Sequence, residues 1–396
     1  MAFPRPGPLA PAPSARSDIA MFHVMDVLAA GAARRDAGLE VVSLAAGQPS
    51  TPAPEPVRRA VREAIDADLL GYTESSGTAA IRGAIAGHHR RRYGLDVNAS
   101  DVIVTTGSSG AFTLIFLAAF SPGDRVVLLR PGYPAYRNAL SALGCEVVEL
   151  DCGAEADYRL TVDMLDALGE PPAGLIVASP ANPTGTIIPP DDLAALARWC
   201  EDRGTLLISD EIYHGIEHPG APATSCAWST SREAVVMGSM SKYFCMTGWR
   251  LGWMLVPQRY RRAVERLTAN LTICPPTLSQ IAAVAAFDDV SLAECDAHVA
   301  RYTANRDALI AGLADLGVTE IAPPDGAFYL YADVGHVTDD SLAWCRQVLA
   351  STGVAIAPGV DFDTVRGSRT IRLSFAGDRS DIARGLELLA PVLTRG

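Results

Sequence analysis

Lysine is almost missing from this chain. The 396 residues carry 33 basic side chains, and Lys242 is the one lysine among them. A Schiff base to a side chain, if the protein forms one, therefore has a single place to form, the terminal amine aside. A GC-rich coding sequence, favouring Ala, Gly and Arg, also produces this scarcity, so the surroundings of Lys242 have to decide. Positive charge as a whole is short: 45 acidic against 33 basic residues leave a net charge of −12. That excludes nucleic acid as the main partner, because a phosphate backbone needs a basic surface; Arg90, Arg91 and Arg92 read as a solvated helix face. The eight cysteines contain no CxxC pair and do not cluster with His, which excludes a disulfide framework or zinc site and fits a reducing cytoplasm. No apolar run reaches the ~20 residues of a membrane span, and the N-terminus lacks the apolar stretch of a signal peptide. Neither GxGxxG nor GxxxxGK[ST] occurs, so nicotinamide and nucleoside triphosphate sites lack their usual signals.

What the chain does have is a change of rhythm. A Pro-rich arm (Pro4, Pro6, Pro8, Pro11, Pro13) precedes helical patterns over Asp18–Arg35, capped by Asp18 or Ser17, over Pro56–Leu69 and over Ser76–Tyr93. Short apolar runs then alternate with helix-like segments: Val102–Thr106, Arg125–Leu129, Glu146–Leu150, Leu175–Ala178, Leu206–Ser209, Val235–Gly238 and Leu251–Val256. Strands apolar throughout predict an α/β fold with a mostly parallel seven-stranded sheet covered on both faces, and ligands beyond the carboxyl ends of its strands. A helical stretch from Pro276 to about Leu316 leads to a smaller α+β unit. Its strands are Phe328–Ala332, Val354–Ala357 and Thr370–Ser374, and its helices Ser341–Ser351 and Ile382–Leu393. The expected division is an arm over 1–17, a small domain over 18–57 and 292–396, and a large cofactor-binding domain over 58–291.

Five segments carry chemistry. In VIVTTGSSGAFTLIF a strand enters Gly107, Ser108, Ser109 and Gly110 before a helix, where free amides and the helix dipole favour an anion. In ASPANPTGT, Pro180, Pro183 and Gly185 hold Asn182, a donor and an acceptor at once, at a strand end. In LLISDEIY, Asp210 closes an apolar strand, and a buried carboxylate needs a cationic or hydrogen-bonding partner; a pyridinium nitrogen would serve. In GSMSKYFCMTGWRLG, Lys242 follows a strand between hydroxyls, and Arg250 comes eight residues later. Burial of that lysine lowers its pKa, as Schiff-base chemistry requires, unless it snorkels to the surface. In TIRLSFA, Arg372 lies inside an apolar strand, either paired internally or awaiting a ligand carboxylate as a two-pronged fork. Each segment alone also reads as an ordinary turn or cap. Together they ask for one ligand with a phosphate, a pyridinium, an aldehyde and a carboxylate, which is pyridoxal 5′-phosphate carrying an amino acid.

SMSKYFCMTGWRLG, with NPTG upstream and DEIY between, resembles the class I/II pyridoxal-phosphate aminotransferases of fold type I, aspartate aminotransferase-like, from roughly Ser43 to the C-terminus. The resemblance implies that Lys242 forms the Schiff base with the cofactor and moves the substrate proton, and that Asp210 pairs with the pyridinium nitrogen. It implies that Tyr213 and Asn182 meet the ring hydroxyl. The phosphate falls to the amides of Ser108 and Ser109, the hydroxyls of Ser109 and Ser239, and Arg250. Tyr133, in RPGYPAY, is the implied ring-stacking aromatic; Tyr72, in GYTESSGTAAIR, is similar to the tyrosine that reaches the neighbouring subunit of a homodimer. Arg372, with the backbone at Gly47 and with Asn182, is the implied holder of the substrate carboxylate.

The chain departs from the pattern at Cys245. It also lacks the second cation that dicarboxylate-selective relatives present: Ser109 stands where one branch has Lys, and LTICPPT, residues 271–277, lacks the Arg of another. Arg137 replaces neither unless it turns inward; Met21 and Phe22 line the pocket or belong to the core. The function expected is a ping-pong transfer of an amino group from an L-amino acid to a 2-oxo acid, not strictly aspartate-specific, in a cytoplasmic homodimer without nucleic-acid or membrane partners. A lyase or an amino-acid oxidase on the same fold is the nearest alternative. A non-catalytic sensor is another, disfavoured because no room is left for a DNA-binding domain.

Overall fold

A computed structural model describes residues 12–394, so most of the expected Pro-rich arm lies outside the described residues. In chain order the first elements are α1 (His23–Asp36), β1 (Val42–Ser43), α2 (Glu55–Ala67), α3 (Ala79–Tyr93), β2 (Val102–Thr105), α4 (Gly107–Ala119), β3 (Arg125–Arg130), α5 (Pro134–Leu143) and β4 (Glu146–Asp151). Next come α6 (Val162–Asp166), β5 (Gly174–Ala178), α7 (Pro190–Arg203), β6 (Leu206–Asp210), β7 (Val235–Ser239), β8 (Gly252–Leu255), α8 (Gln258–Leu271), α9 (Thr277–Val284) and α10 (Asp289–Asp315). The last are β9 (Tyr329–Asp333), α11 (Ser341–Thr352), β10 (Val354–Ala355), β11 (Ala357–Pro358), β12 (Thr370–Ser374) and α12 (Arg379–Leu393). No described helix is long and apolar enough to cross a membrane.

Strands β2 to β8 form one seven-stranded sheet in the order β2-β8-β7-β6-β5-β3-β4. All its pairings are parallel except those of β8, which runs antiparallel to both β7 and β2. Alternate side chains of each strand feed two separate cores. Val104, Val177, Leu207 and Val236 pack with α3 and α7 on one face, and Ile103, Ile176, Ile208 and Met237 pack with α4, α5 and α8 on the other. Both faces being covered is why the strands read as continuous apolar runs.

Three local expectations change. α1 begins at His23 rather than Asp18 and has no side-chain cap of its own. The amides of His23 and Val24 instead donate to the two carboxylate oxygens of Asp361, at 2.9 and 2.8 Å. The helical stretch after Pro276 breaks at a short 3-10 turn over Ala285–Phe287, and Asp288 caps the new helix α10 by accepting from the Ser291 amide at 2.7 Å. The expected strand Val354–Ala357 is two: β10 pairs with β1, and after Ile356 β11 joins β12 and β9 in a three-stranded antiparallel sheet. That switch carries Arg372, in the central strand β12, to the end of the large sheet where β6 delivers Asp210.

Candidate active site

A cavity of about 850 Å³ opens at the carboxyl ends of the parallel strands, where this topology leaves a crevice. Ser108, Ser109, Tyr133, Asn182, Asp210, Tyr213, Lys242, Arg250, Arg372 and Gly47 all line it. Ten positions spread over more than 300 residues of sequence thus meet in one place.

The anion-binding end is the turn from β2 into α4. Thr106 gives that helix no side-chain cap, so the first amides of α4 are left for a ligand. Gly107 has φ +70°, a conformation that favours glycine, and a Cβ there would displace the Arg250 guanidinium. Arg250 is itself in the left-handed region, φ 53°, and anchors one guanidinium nitrogen on the Thr247 carbonyl at 2.9 Å. Its other end faces the turn.

Asp210, 2% exposed, receives the Tyr136 hydroxyl on Oδ2 and the Ile212 amide on Oδ1 at 3.2 Å. Burial pushes its pKa up to about 6 against the pull of the Tyr136 and Ile212 hydrogen bonds and the Lys242 charge. A cation placed against it would restore full ionisation. The Tyr213 and Tyr329 hydroxyls are 2.9 Å apart. Lys242 donates from Nζ to the Gly47 carbonyl at 2.7 Å and lies 5.6 Å above the Tyr213 ring. Burial, with Arg372 and Arg250 nearby, lowers its pKa to about 8 although Asp210 pulls the other way.

Arg372 is 2% exposed and held between the Tyr329 and Phe362 rings, at 4.3 and 4.7 Å. It donates to Asn182 Oδ1 at 2.9 Å and to the Ala45 carbonyl at 2.8 Å, while its Nε has no partner among the described residues. A buried guanidinium with neutral partners and a spare N–H calls for an anion. An anion nest, a buried carboxylate able to meet a ring nitrogen, a depressed lysine and an unneutralised arginine are the groups a phosphorylated pyridine aldehyde bearing an amino acid requires, so pyridoxal phosphate fits.

Two expected site residues lie elsewhere. The Ser239 hydroxyl accepts from the Ser241 amide at 3.1 Å, and Ser241, not Ser239, lines the cavity. Tyr72 is 83% exposed and away from the cavity of its own chain. Arg137 neither turns inward nor faces solvent: half-buried, it pairs with Glu149 at 2.9 Å and donates to the Asp361 carbonyl at 3.2 Å. Phe22 lines the cavity and meets Tyr133 edge-on, with centroids 6.0 Å apart, whereas Met21 is exposed. Cys245 is buried, 3.4 Å from the Thr51 hydroxyl. The sequence reading missed Tyr136, Tyr329 and Arg35, which also line the cavity. Only Tyr136 carried a signal, standing three residues after Tyr133 in RPGYPAY and so one helical turn away.

Residues 40–389 match the family model described as aminotransferase class I and II. The chain is 56% identical over 371 residues to a valine–pyruvate aminotransferase of Mycobacterium tuberculosis, covering 94% of this chain and 96% of that one. It is 32% identical over 364 residues to an aspartate/prephenate aminotransferase of Thermus thermophilus, with 91% and 93% covered. A crystal structure of an aminotransferase from Mycobacterium tuberculosis superposes with a TM-score of 0.96 at 53% identity, over 98% of this chain and 100% of that one.

Proposed function

Because the chain belongs to the class I and II aminotransferases, we propose that its cavity transfers amino groups between aliphatic L-amino acids and a small 2-oxo acid such as pyruvate. The chain is a pyridoxal-phosphate-dependent aminotransferase of fold type I, not built for strict aspartate specificity. The bound cofactor supplies the electron sink that makes the substrate Cα–H acidic.

This chain's residues supply the rest. Arg372 grips the substrate carboxylate through the N–H groups it does not spend on Asn182 and Ala45. With the cofactor bound, Lys242, depressed to about 8, would hold and move the proton of the substrate Cα, a general acid–base contribution worth ~10²–10⁴-fold. Asp210 would hold the cofactor's ring nitrogen protonated, and Tyr213 and Asn182 would hydrogen-bond its ring hydroxyl. The Ser108 and Ser109 amides with Arg250 would hold its phosphate and Tyr133 would cover its ring, while Ser239 shapes the turn before Lys242.

The observation that carries the substrate class is the apolar wall built by α1 and the residue before it: Phe22, Val24, Met25 and Leu28 line the cavity, and the one charged residue of that helix among the lining, Arg35, is exposed. That surface desolvates an aliphatic side chain well and a carboxylate poorly. The 56%-identical relative is a valine–pyruvate enzyme, which agrees. The test is a donor screen against pyruvate with alanine as the product read. Valine and its branched neighbours should react fastest, and reaction of dicarboxylates alone would refute the assignment.

Tyr72 and the neighbouring Leu69, 83% and 94% exposed, with Leu271 and Ile273 also exposed, support a homodimer in which Tyr72 reaches the partner's phosphate. The small unit, 18–57 with 292–396, and the large unit, 58–291, both contribute walls to the cavity and act as its two lobes. All eight cysteines are free, which supports a cytoplasmic setting.

A further inference from the structure

Behind the end of β6 lies a second chamber, about 20 Å³, room for one water at most. Asp210 faces the active-site cavity, the next residue, Glu211, faces this chamber, and Ile212 touches both. His88, His89, Tyr93, His214 and Ser239 complete its polar lining. Ser239 aside, none of these chamber-facing groups has a part in the amino transfer derived above.

Hydrogen-bond bookkeeping inside the chamber leaves one atom in an unusual position. Glu211 is buried, and its Oε1 accepts from the Ser209 hydroxyl at 3.0 Å and from the Ala227 amide at 2.8 Å. Its Oε2 has no hydrogen-bond partner among the described residues. Two ionisable groups stand beside this carboxyl: the Cys226 thiol and His214, whose Nδ1 lies 3.5 Å from Oε2. That nitrogen is already bonded to the Tyr93 hydroxyl. Tyr93 accepts from Arg92 Nε at 3.1 Å, and Nδ1 is the acceptor its own hydrogen has among the described residues. His214 Nδ1 is therefore an acceptor. An ionised Oε2 would set two lone pairs against each other, whereas a protonated Oε2 has a hydrogen to direct at them.

The charged groups around Glu211 do not change this. From α3, Arg92 is spent on Glu217, at 2.7 and 2.8 Å. From the turn after β6, Glu217 is neutralised by that pairing, and burial lowers His214 to about 3, so it is neutral. From the segment beyond, Cys226 is a buried thiol that burial pushes up, and Arg232 lies over the Trp228 ring at 4.8 Å. From its own strand end, Asp210 is a like charge. Burial pushes Glu211 up to about 7 against the pull of the Ala227 amide, the neighbouring Cys226 thiol and the Ser209 hydroxyl.

We propose that Glu211 is a positioning residue working as a carboxylic acid: it holds a proton on Oε2, directed at the His214–Tyr93 pair, and so keeps a second negative charge from forming beside Asp210. Its protonation is read from this chain alone; its consequence for the reaction rests on the role of Asp210 given above. When the proton leaves, the new charge behind Asp210 favours protonation of the cationic groups in front of it.

Urea unfolding of cofactor-free wild type and Glu211→Gln at several pH values tests the first part. A carboxyl whose pKa is raised in the native state binds more protons there than in the unfolded chain. Its stabilisation is therefore complete below the unfolded value near 4.5 and is lost as the pH passes about 7. The urea midpoint of wild type minus that of Gln should fall between pH 5.5 and 8.5, and a difference that stays flat overturns the proposal. Should the Gln variant not accumulate, Tyr93→Phe frees Nδ1 to carry a proton and donate. It should move the wild-type loss of stability to lower pH, and an unmoved profile overturns the proposal equally. In the holoenzyme, the pH midpoint of the cofactor absorbance should lie lower in Glu211→Gln than in wild type. A pH-dependent stability difference with an unmoved absorbance midpoint overturns the link to Asp210. Failure of the role of Asp210 itself would show separately, as an Asp210→Asn enzyme with undiminished cofactor affinity.

Discussion

Tyr136 invites a quantitative test, because it supports Asp210 from within RPGYPAY, a segment that drew notice for Tyr133 alone. In Tyr136→Phe the ring still packs on Phe112, at a centroid distance of 4.9 Å, but Asp210 Oδ2 loses its donor. Oδ1 keeps the Ile212 amide at 3.2 Å. A hydrogen bond to a charged group is worth ~1.5–3 kcal/mol, and ~1.4 kcal/mol corresponds to one pKa unit. The substitution should raise Asp210 by ~1–2 units above its present position of about 6. At pH 7 the cofactor-free variant then holds Asp210 mostly protonated, where the wild type holds it mostly ionised. A neutral Asp210 pairs poorly with a ring N–H⁺, so cofactor affinity near neutrality should drop ~10-fold or more and recover as the pH rises.

Equilibrium dialysis of pyridoxal phosphate across pH 5.5–9 reads that shift directly. Urea unfolding of the cofactor-free protein reads it independently. Asp210 is raised from 3.8 to about 6 in the native state, so its contribution is complete below 3.8 and lost as the pH climbs through about 6. In Tyr136→Phe that loss should extend ~1–2 units further up. Equal pH profiles for the two proteins, or a uniform loss at every pH, would refute the reasoning and leave Tyr136 as a space-filling residue.

Three further substitutions probe other parts of the site. Lys242→Ala should abolish turnover and the incorporation of cofactor on borohydride reduction. Because the wild-type amine is lowered from 10.5 to about 8, wild type should gain stability relative to the variant as the pH rises through that window, a trend absent if the amine is unperturbed. Gly107→Ala places a methyl against Arg250 at a left-handed φ; it should cost ~1–3 kcal/mol of stability and weaken cofactor binding, and calorimetry showing no change would contradict the close approach. Asp361→Ala leaves the first amides of α1 without acceptors and should cost ~1–2 kcal/mol. Since Phe22 and Val24 line the cavity, it should also raise KM for aliphatic donors, and a lowered Tm with unchanged KM would detach α1 from substrate binding.

Most strands of the large sheet were legible because they are apolar on both sides and bounded by turn residues, so Val102–Thr105 and Leu206–Asp210 fall within a residue of where the pattern puts them, as does Thr370–Ser374 in the three-stranded sheet. Local pattern does not encode pairing, which is why β8 lying antiparallel between β2 and β7 had no signature. Long-range capping is hidden for the same reason: Asp361 stands 338 residues from the helix it starts. The site was legible where one residue type has few uses at a strand end, as with Asp210, Lys242 and Arg372. It was not legible where the same chemistry recurs nearby. Ser239 and Ser241 are both serines beside the lysine, and only the path of the turn decides that Ser241 lines the cavity. Tyr136 and Tyr329 read as core aromatics until their hydroxyls are seen against Asp210 and Tyr213.

The scarcity of lysine takes on a different meaning beside this geometry. Besides the exposed Arg35, three cations, Arg250, Arg372 and Lys242, line this cavity with a single carboxylate, Asp210. Arginine does not lose its proton inside proteins, so both guanidinium groups remain charged and repel a third charge. The amine is the one that yields: burial and the two arginines lower it to about 8, leaving roughly a tenth of it neutral at pH 7. An arginine at position 242 would pack similarly but could neither attack a carbonyl nor shuttle a proton. Coding bias is indifferent to position and would as readily have left the last lysine on the surface. It therefore accounts for the scarcity of lysine but not for the place of Lys242, in the cavity against the Gly47 carbonyl. The same logic predicts that Lys242→Arg is as inactive as Lys242→Ala. Retained activity in the arginine variant would show that the amine is not the group that moves the proton.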